Sequence, residues 1–416
     1  MTFWQAQLHR RLRETVRKGG IDVAYPDGST ERYGEAFAAP LGVRVKSRAW
    51  LRRLALDPEL ALGEAYMDGG LQIVHGDLYT LLDLVWRNIL SNGGAPGPAI
   101  PAFGRRLLRR LAQFNPARRA QKNAAHHYDL GNDFYRLFLD DDMQYSCAYF
   151  EQPDLTLEEA QQSKKNLIAK KLLIEPDHSV LEIGCGWGGL GIFLAKETGA
   201  TVNGVTLAKE QLRVATDRAG ANSLSKHALF RLKDYRAVDG RFDRIVSVGM
   251  FEHVGLPHFQ EYFDQVAKLL NDNGVALIHT IGRPDGPGVT NPWIARHIFP
   301  GGYIPSLSEI VPAIERAGLF ITDLEVWRLH YAETLKEWRR RFLDNADEVK
   351  RMYDVRFVRM WEFYLVSSEL SFRHGAHVVF QLQLAKRQDA VPLTRRYLLK
   401  EPAARPFQAE KPRVVA

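Results

Sequence analysis

The stretch from Val180 to Gly191, with the sequence VLEIGCGWGGLG, limits the possible folds of this chain more than any other feature. The apolar run over 179–183 predicts a buried strand, and residues 190–198 predict a helix directly after it. Closely spaced glycines join the two. Because glycine has no Cβ, such a strand-to-helix turn lets a ligand approach bare backbone. The pattern therefore predicts an α/β domain that binds a ligand at this turn.

Three later apolar runs continue the same plan, at 201–207 (TVNGVTL), 242–248 (FDRIVSV) and 274–281 (GVALIHTI). Strands that alternate with helical segments predict a parallel sheet with helices on both faces. Ligands of such sheets bind outside the carboxyl ends of the strands. The fold class is therefore α/β, with a Rossmann-like domain, and the residues after each strand are the ones to examine for chemistry.

Glu182, two residues before the first glycine of the turn, narrows the choice of ligand. Its carboxylate could hold a cationic amino group or a ribose hydroxyl. The E-x-G-x-G pattern differs from the G-x-G-x-x-G pattern of dinucleotide-binding proteins, although residues 186–191 could mimic the latter. The combination favours S-adenosylmethionine as the ligand. A tight turn in an ordinary α/β domain is the alternative.

The 416 residues are 45% hydrophobic and 25% charged, which is typical of a globular protein with room for two domains. No run approaches the ~20 apolar residues of a membrane span, and arginines interrupt the first residues early, unlike a secretion signal. The only two cysteines, Cys147 and Cys185, have no metal-ligand spacing and favour a reduced, cytoplasmic setting. The net charge of +7 predicts an anionic partner.

Residues 1–90 are predicted to form a small α+β domain. Its predicted elements are a helix over 4–18, a hairpin over 21–33 around Pro26-Asp27-Gly28, a strand over 41–46 and a helix over 78–90. Residues 91–104 are rich in Gly, Pro and Ala and predict a linker. The predicted catalytic domain covers 123–395, with late helices at 335–343 and 355–370, and residues 396–416 predict a mobile tail.

Residues 105–122, with the sequence RRLLRRLAQFNPARRAQK, predict a basic amphipathic helix that Pro116 breaks, followed by an extension. Such a segment can lie on an anionic bilayer, where each cation contributes about 1 kcal/mol. A solvated connector helix is the alternative. Nucleic acid is disfavoured as a partner because the chain has no aromatic-interleaved basic motif, nor an Asn/Asp-Pro-Pro-aromatic site after Val248.

Several further motifs occur in a fixed order around the glycine-rich turn. They are HYDLGNDFYRLFL at 127–139, MQYSCAYF at 143–150, GVTL at 204–207, FEHVG at 251–255, HTIG at 279–282 and FPGGYIPS at 299–306. In this combination, residues 123–387 resemble the cyclopropane-fatty-acyl-phospholipid synthases, which are similar to the mycolic acid cyclopropane synthases and methyltransferases. Residues 1–90, with GEAYMDGG at 63–70, look like the N-terminal domain of the longer, phospholipid-acting members.

The resemblance implies methyl transfer from S-adenosylmethionine to a cis double bond in a phospholipid acyl chain, followed by proton removal and ring closure. It also implies that a bound bicarbonate removes the proton. The residues that would surround the bicarbonate are Cys147, Glu252, His279, the backbone of Ile281, and Tyr331. Glu252 would orient the bicarbonate hydroxyl, while His279, Tyr331 and backbone N–H groups would donate to its oxygens.

For the S-adenosylmethionine site, the resemblance implies two residues before the turn, the turn itself, and the ends of later strands. The residues are Tyr145, Ser146, Glu182, Gly184, Gly186, Gly188, Thr206, Leu207, Gln211, Asp234 and Tyr235. Related methyltransferases often carry an acidic residue at the end of the second strand, which binds the ribose. Here that strand ends without one, so Thr206 and Gln211 are the predicted ribose contacts.

The resemblance also implies partners and leaves the product open. The expected partners are unsaturated phospholipids in an anionic membrane and a second copy of the chain, with the protein peripheral on the inner face. Ser368 replaces a cysteine that is common in the phospholipid-acting members. Relatives of similar sequence make methyl-branched, methylene or hydroxylated chains instead of cyclopropanes. A lipid-binding module with an inactive site is a further alternative, against which the intact Glu182, Glu252, His279 and Tyr331 argue.

Overall fold

The computed structural model describes residues 1–35, 41–91, 113 and 130–399. Most of the linker, the basic segment other than Gln113, the start of the HYDLGNDF motif and most of the tail lie outside these residues. No described helix is both long and apolar enough to cross a membrane. The described chain divides into two compact units. The first contains residues 1–112, 288–302 and 331–377, and the second contains 113–287, 303–330 and 378–416.

The elements are numbered here in chain order. The described strands are β1 (Gly20–Ala24), β2 (Thr30–Gly34), β3 (Gly42–Val45), β4 (Leu71–His75), β5 (Ser179–Ile183), β6 (Thr201–Thr206), β7 (Ala228–Leu232), β8 (Phe242–Val248), β9 (Leu270–Gly282), β10 (Phe320–Trp327) and β11 (Val378–Ala385). The described helices are α1 (Phe3–Thr15), α2 (Arg48–Leu56), α3 (Pro58–Met67), α4 (Leu78–Ser91), α5 (Asn132–Arg136), α6 (Leu157–Leu172), α7 (Gly189–Thr198), α8 (Lys209–Ala221), α9 (Phe259–Leu269), α10 (Pro292–His297), α11 (Leu307–Arg316), α12 (His330–Asp344), α13 (Ala346–Met352) and α14 (Val355–Arg373).

The second unit contains a seven-stranded sheet with the order β10-β11-β9-β8-β5-β6-β7. Strands β5 to β9 pair with one another in parallel, as the alternation of strands and helices predicted. Strands β5 and β8 have the predicted bounds, and β9 begins at Leu270 rather than at Gly274. β11 is antiparallel to both neighbours, β9 and β10. The Rossmann-like, mostly parallel sheet is therefore confirmed, and the antiparallel strand is an addition that the sequence analysis did not predict.

Helices cover both faces of this sheet, because each strand carries apolar side chains on both sides. One apolar cluster packs α6 and α7 against the sheet and includes Ile168, Phe193 and Val246. The cluster on the opposite face packs α9 and α11 and includes Phe263 and Ile310. Thr156 caps the start of α6, where its hydroxyl accepts from the Glu159 N–H and the Glu159 carboxylate accepts from the Thr156 N–H.

The first unit contains a four-stranded sheet with the order β2-β1-β3-β4. β1 and β2 form the predicted antiparallel hairpin, and β3 pairs with β1 in parallel. The predicted strand over 41–46 and the predicted helices at 4–18 and 78–90 are confirmed with small differences at their ends. The sheet, α1 and α2 enclose an apolar core that includes Leu8, Val23 and Leu51.

Residues 331–377, which include α13 and α14, belong to this same compact unit. The division of the chain into consecutive domains that the sequence analysis predicted does not group them in this way. Tyr66 of α3 donates to Glu362 of α14 at 2.6 Å, and a nitrogen of His374 lies 2.8 Å from Asp83 of α4. These contacts join residues almost 300 positions apart along the chain. Deleting residues 1–90 would therefore remove side chains that α14 and His374 bind. The functional division into 1–90 and 123–395 stays a prediction.

Candidate active site

A cavity of the second unit opens at the glycine-rich turn between β5 and α7. Its walls come from the segment 143–146, the ends of β5, β6 and β8, and the turn 233–236. The predicted cofactor residues that line it are Tyr145, Ser146, Glu182, Gly184, Gly186, Thr206, Leu207, Gln211, Asp234 and Tyr235. Of the residues predicted for the cofactor, only Gly188 is missing from the lining. Residues far apart in sequence thus meet at the carboxyl ends of the parallel strands, as expected.

The glycines of the turn have different functions. Gly186 has a φ of +51°, and a Cβ there would meet no atom within 4 Å, because it would point into open space. Gly184 has a φ of +87°, and its Cβ would lie 2.9 Å from Cβ of Met250. Gly188 begins α7 as its N-cap, and its Cβ would lie 2.8 Å from Cβ of Ala215. Packing of the helix therefore explains Gly188, and Gly186 is the glycine that keeps the cavity open.

Glu182 lies beneath the turn and is only 4% exposed. Its Oε2 has no hydrogen-bond partner within the described part of the chain. A Cβ on Gly191 would come within 2.6 Å of that oxygen, so the carboxyl group is close to the first turn of α7. Burial raises the pKa of Glu182 to about 8. A cation bound in the cavity would favour the ionised form, which suits a ligand with a positively charged group.

The ends of β6 and β7 supply the polar groups of the far wall. The Thr206 hydroxyl lies 3.4 Å from Oε1 of Gln211 and accepts from the Ala208 N–H at 3.1 Å. Asp234 accepts from the Arg236 guanidinium at 2.7 and 2.9 Å. The carboxylate gains so much from the Arg236 hydrogen bonds that its pKa is lowered despite partial burial. Asp234 is therefore an ionised acceptor at the rim of the cavity.

A buried polar face of α6 holds the segment 140–146, and the sequence analysis did not predict it. The Lys164 ammonium donates to Gln144 and to the Ser146 hydroxyl, both at 2.8 Å. Gln161 donates to the Ser146 carbonyl at 3.0 Å, and Lys165 pairs with Asp142 at 2.6 Å. Burial lowers the pKa of Lys164 to about 8. The sequence QQSKKN of this face resembles a solvated surface, so the sequence pattern contains no signal for it.

Glu252 and Ile281 meet directly, as the resemblance implied. Glu252 lies in a short 3-10 helix (Phe251–His253) after β8, and its Oε1 accepts from the Ile281 N–H at 2.8 Å. Its other oxygen, Oε2, is buried and has no hydrogen-bond partner among the described residues. Burial raises the pKa of Glu252 to about 7, against the opposing effect of the Ile281 N–H. A buried carboxyl oxygen without a partner is uncommon, and it marks a place where a hydrogen-bonding ligand fits.

His279 lies on β9, two residues before Ile281, and is 2% exposed. Its Nδ1 is 3.0 Å from Nε2 of Gln381 on the neighbouring strand β11. Burial holds the pKa of His279 well below its ordinary value, so the ring stays neutral. The ring packs edge-on against Trp327, with centroids 5.0 Å apart. His253, next to Glu252, lines the cavity at the glycine-rich turn, and burial lowers its pKa to about 4.

Cys147 and Tyr331 are the remaining two residues predicted for this site. Cys147 follows Ser146, is fully buried, and directs its thiol to the Ala148 carbonyl at 3.3 Å. Neither of the two cysteines, both in the described part of the chain, forms a disulfide. Tyr331 belongs to the first unit, where it packs against Phe372 and Trp338. The structure thus brings Glu252 and Ile281 into contact, while the assignment of Cys147 and Tyr331 to the same site stays a prediction.

Comparison with known proteins identifies the family. A family model described as mycolic acid cyclopropane synthetase matches residues 115–382, which include the cavity, Glu252 and His279. The chain belongs to this family. A second model, described as a domain of unknown function (DUF7884), matches residues 8–92.

Individual relatives agree with this membership. The chain is 38% identical over 340 residues to the cyclopropane-fatty-acyl-phospholipid synthase of Escherichia coli K12, a match that covers 81% of this chain and 85% of that protein. It is 34% identical over 400 residues to the tuberculostearic acid methyltransferase UfaA1 of Mycobacterium tuberculosis, covering 92% and 91%.

Among solved structures, the mycolic acid cyclopropane synthase CmaA1 complexed with SAH and CTAB matches with a TM-score of 0.61 and 31% identity. That match covers 65% of this chain and 99% of the other. The chain described here, as a member of the cyclopropane synthase family, is an S-adenosylmethionine-dependent methyltransferase.

Proposed function

We propose that this methyltransferase transfers one carbon from S-adenosylmethionine to the cis double bond of an unsaturated phospholipid acyl chain and forms a cyclopropane ring. Lipid acyl chains appear in the names of the relatives, which include a fatty-acyl-phospholipid synthase and a fatty acid methyltransferase. The observation that carries the proposal is the buried Glu252 carboxyl group, which has a free Oε2 and lies next to cavity-lining residues. Simple methyl transfer to a basic atom needs no such group.

The chemistry explains why a buried proton acceptor is needed. Bound S-adenosylmethionine supplies an electrophilic methyl group on a sulfonium. The alkene carbon forms a bond to this methyl as the sulfur–carbon bond breaks, which leaves a carbocation on the neighbouring carbon. A proton must then leave the added methyl, and its electron pair closes the ring. A nearby protein carboxylate could instead attack the cation, so the residues must hold the proton acceptor in place without reacting themselves.

Bicarbonate is the base that we propose, and the described residues fit a small hydrogen-bonding anion. Glu252 has one oxygen fixed by the Ile281 N–H and one oxygen available. With a pKa of about 7, its carboxyl group can hold or release a proton near neutral pH. His279 is neutral and has no charge to repel the substrate cation. These two side chains would orient the anion, and Cys147 and Tyr331 are proposed to complete the set.

Turnover on unsaturated phospholipid vesicles tests the proposal. We expect a gain of one CH₂ per modified double bond by mass analysis, together with cyclopropane ring protons by nuclear magnetic resonance. In buffer depleted of carbon dioxide the rate should fall, and added bicarbonate should restore it. An unchanged rate after depletion would mean that the proton acceptor is a protein side chain. A lack of any product would contradict the assignment of the substrate.

A methyl-branched acyl product is the second candidate, because a relative matching 92% of this chain is named as a tuberculostearic acid methyltransferase. Both products share the carbocation. Loss of a proton from the added methyl, with ring closure, gives the cyclopropane, whereas loss of a proton from the chain carbon on the other side of the cation gives a methyl-branched alkene. Ring protons in the spectrum would establish the cyclopropane. A new methyl doublet without ring protons would establish the branched product instead.

We also propose that the basic segment 105–122 binds an anionic membrane surface. Association with vesicles of anionic lipid should weaken with salt, because the Debye length falls from about 10 Å at 0.1 M to about 3 Å at 1 M. Replacing Arg105, Arg106, Arg109 and Arg110 by Gln should release the protein. The matched control replaces four exposed arginines elsewhere, at 213, 340, 351 and 356. Equal release by both sets would mean that only net charge matters, and binding that is independent of salt would indicate an apolar anchor.

A homodimer is proposed as the working assembly on the strength of the family resemblance alone. Light scattering of the full chain at several protein concentrations tests it. A monomer mass over the whole concentration range of the activity assay would contradict this part of the proposal.

A further inference from the structure

A row of polar side chains crosses three strands of the second unit and ends at His279. Glu325 on β10 is paired in register with Gln381 on β11, and Gln381 is paired with His279 on β9. Directly paired residues on neighbouring strands direct their side chains to the same face of the sheet. Lys171, from the last turn of α6, joins the row by pairing with Glu325 and by donating to Oε1 of Gln381 at 2.6 Å.

The hydrogen bonds of this row determine which way the Gln381 amide points. The Lys171 amine lies against the Glu325 carboxylate, which can only accept, so the amine acts as a donor. The atom of Gln381 that faces Lys171 must therefore be the oxygen, and the amide nitrogen must face His279. Glutamine orientations are ambiguous when their partners can both donate and accept. Here the ion pair at one end removes the ambiguity.

This orientation in turn determines the tautomer of His279. The Gln381 Nε2 can only donate, so His279 Nδ1, 3.0 Å away, must accept and carries no proton. In a neutral imidazole the single proton is then on Nε2. Lys171, Gln381 and His279 are each no more than 2% exposed. Because water is largely excluded, a wrong partner for Nδ1 would leave a buried group unsatisfied, which makes the preference strong.

We propose that Gln381 and Lys171 are positioning residues that hold His279 as the Nε2–H tautomer and so make it a hydrogen-bond donor. The tautomer itself is inferred from the hydrogen bonds alone. Only the use of the Nε2–H group, which is donation to the bound anion, rests on the proposed function. Neither residue lines the cavity at the glycine-rich turn, so their loss should affect the rate and leave cofactor binding intact. The two glutamines in the apolar strand VVFQLQLA are the only trace of this arrangement in the sequence.

Substitution of Gln381 by Glu gives the sharpest test, because a carboxylate accepts where the amide donates. Nitrogen magnetic resonance of the full chain with labelled histidine reports which ring nitrogen carries the proton. With 13 histidines present, the signal of His279 is assigned by its absence in His279→Gln. We expect Nε2–H in the wild type and Nδ1–H in Gln381→Glu. Lys171→Met, which frees the amide to turn over, should give a mixture of both tautomers.

Gln383→Glu is the matched control, since Gln383 is equally buried on the same strand and face but bonds to Thr322 and the Lys171 carbonyl. It should leave the tautomer of His279 unchanged. In turnover assays, Gln381→Glu should lower kcat roughly tenfold or more, while the Kd for S-adenosylmethionine stays at the wild-type value and Gln381→Asn recovers part of the rate.

An Nδ1–H signal in the wild-type protein overturns the inference, whatever the variants do and whether or not they fold. An unchanged tautomer in folded Gln381→Glu overturns it as well. The spectra do not depend on the lipid reaction. If the tautomers behave as expected while His279→Gln retains full turnover, the positioning stands and the proposed role of His279 fails.

Discussion

The cavity at the glycine-rich turn and the Glu252–His279 region lie side by side in one unit, yet they are built in different ways. At the cavity, a contiguous stretch of chain provides the turn, and Gly186 acts through the absence of a side chain. The Glu252–His279 region is formed by buried polar side chains, and each is held by a hydrogen bond to a residue on a strand, Ile281 on β9 or Gln381 on β11. Glu252 is 29 positions from Ile281, and His279 is 102 positions from Gln381.

Because the two regions are built differently, they should respond differently to amino-acid substitution. Where backbone conformation forms a site, substitutions act by adding atoms or by straining a positive φ. Where side chains form a site, substitutions act by leaving buried groups without partners. Variants of the two regions should therefore separate cofactor binding from turnover.

The largest effect is expected for Gly186→Val, which should abolish binding of S-adenosylmethionine. The new side chain would fill the space in front of the turn, where no protein atom lies within 4 Å. Gly318→Val is the control, because Gly318 has a φ of +70° and equally open surroundings but lies outside the cavity lining. Isothermal calorimetry should show wild-type affinity in the control. Wild-type affinity in Gly186→Val would refute the cofactor site.

Gly184→Val is a poorer test, although Gly184 lies in the same turn. Its Cβ would clash with Cβ of Met250, so a loss of binding could reflect local damage to the protein itself.

The next largest effect is expected for Glu252→Gln, which should lose turnover without losing the cofactor. The amide cannot make all the hydrogen bonds of the buried carboxylate, and a buried group left without its partner costs about 1–3 kcal/mol or more. That cost corresponds to a loss of roughly tenfold or more in turnover rate. Glu261→Gln, on the exposed side of the nearby helix α9, is the control. A folded Glu252→Gln protein with wild-type turnover would exclude this residue from the reaction.

A smaller effect is expected for Glu182→Gln, which should change how the free energy of unfolding depends on pH. The folded pKa of Glu182, about 8, lies above the ordinary value of 4.5. Between these values the folded protein keeps a proton that the unfolded chain has released, so this group lowers the free energy of unfolding as pH rises. Glu182→Gln removes that dependence.

The stability of Glu182→Gln relative to the wild type should therefore increase from about pH 5 to about pH 8, by a few kcal/mol, since one pKa unit corresponds to about 1.4 kcal/mol. Chemical denaturation without cofactor at several pH values measures the slope. The slope is informative because other contacts of the side chain contribute only a constant offset, which does not change with pH. A relative stability that does not change with pH would mean that Glu182 is ionised in the folded protein.

The smallest effect is expected for Ser368→Cys, which restores the residue common in phospholipid-acting members. Ser368 lies on α14 of the first unit, where its carbonyl accepts from the Ser371 hydroxyl at 2.7 Å. A bond to a backbone carbonyl survives this near-isosteric change. Turnover and product should be unchanged, and a shift from one product to another would give this position a role in quenching the carbocation.

Much of the cofactor region could be predicted because its signals are local. Strand β5 has the predicted bounds, and the ten cavity-lining residues named from the sequence follow strand ends or lie in short motifs. The resemblance assigned Gly188 to the cofactor with the rest of the turn, but Gly188 does not line the cavity, and a Cβ on it would meet Ala215. A glycine pattern does not distinguish a cavity wall from a helix contact.

The supporting residues could not be predicted for the opposite reason. Lys164 and Lys171 belong to a polar helix that periodicity alone assigns to the surface. Both are buried because acceptors from distant parts of the chain meet them there, namely Ser146 for Lys164 and Gln381 for Lys171. No local pattern contains that information.

The sequence by itself determined the parallel α/β sheet, the glycine-rich turn and the family, because each depends on short-range periodicity or on ordered motifs. Tertiary structure alone decided the burial of Lys164 beside Ser146, the orientation of Gln381 toward His279, and the grouping of α14 with the first unit. The physical reason is that a buried polar group is stable only where a partner meets it, and those partners come from strands and helices that lie far away along the chain.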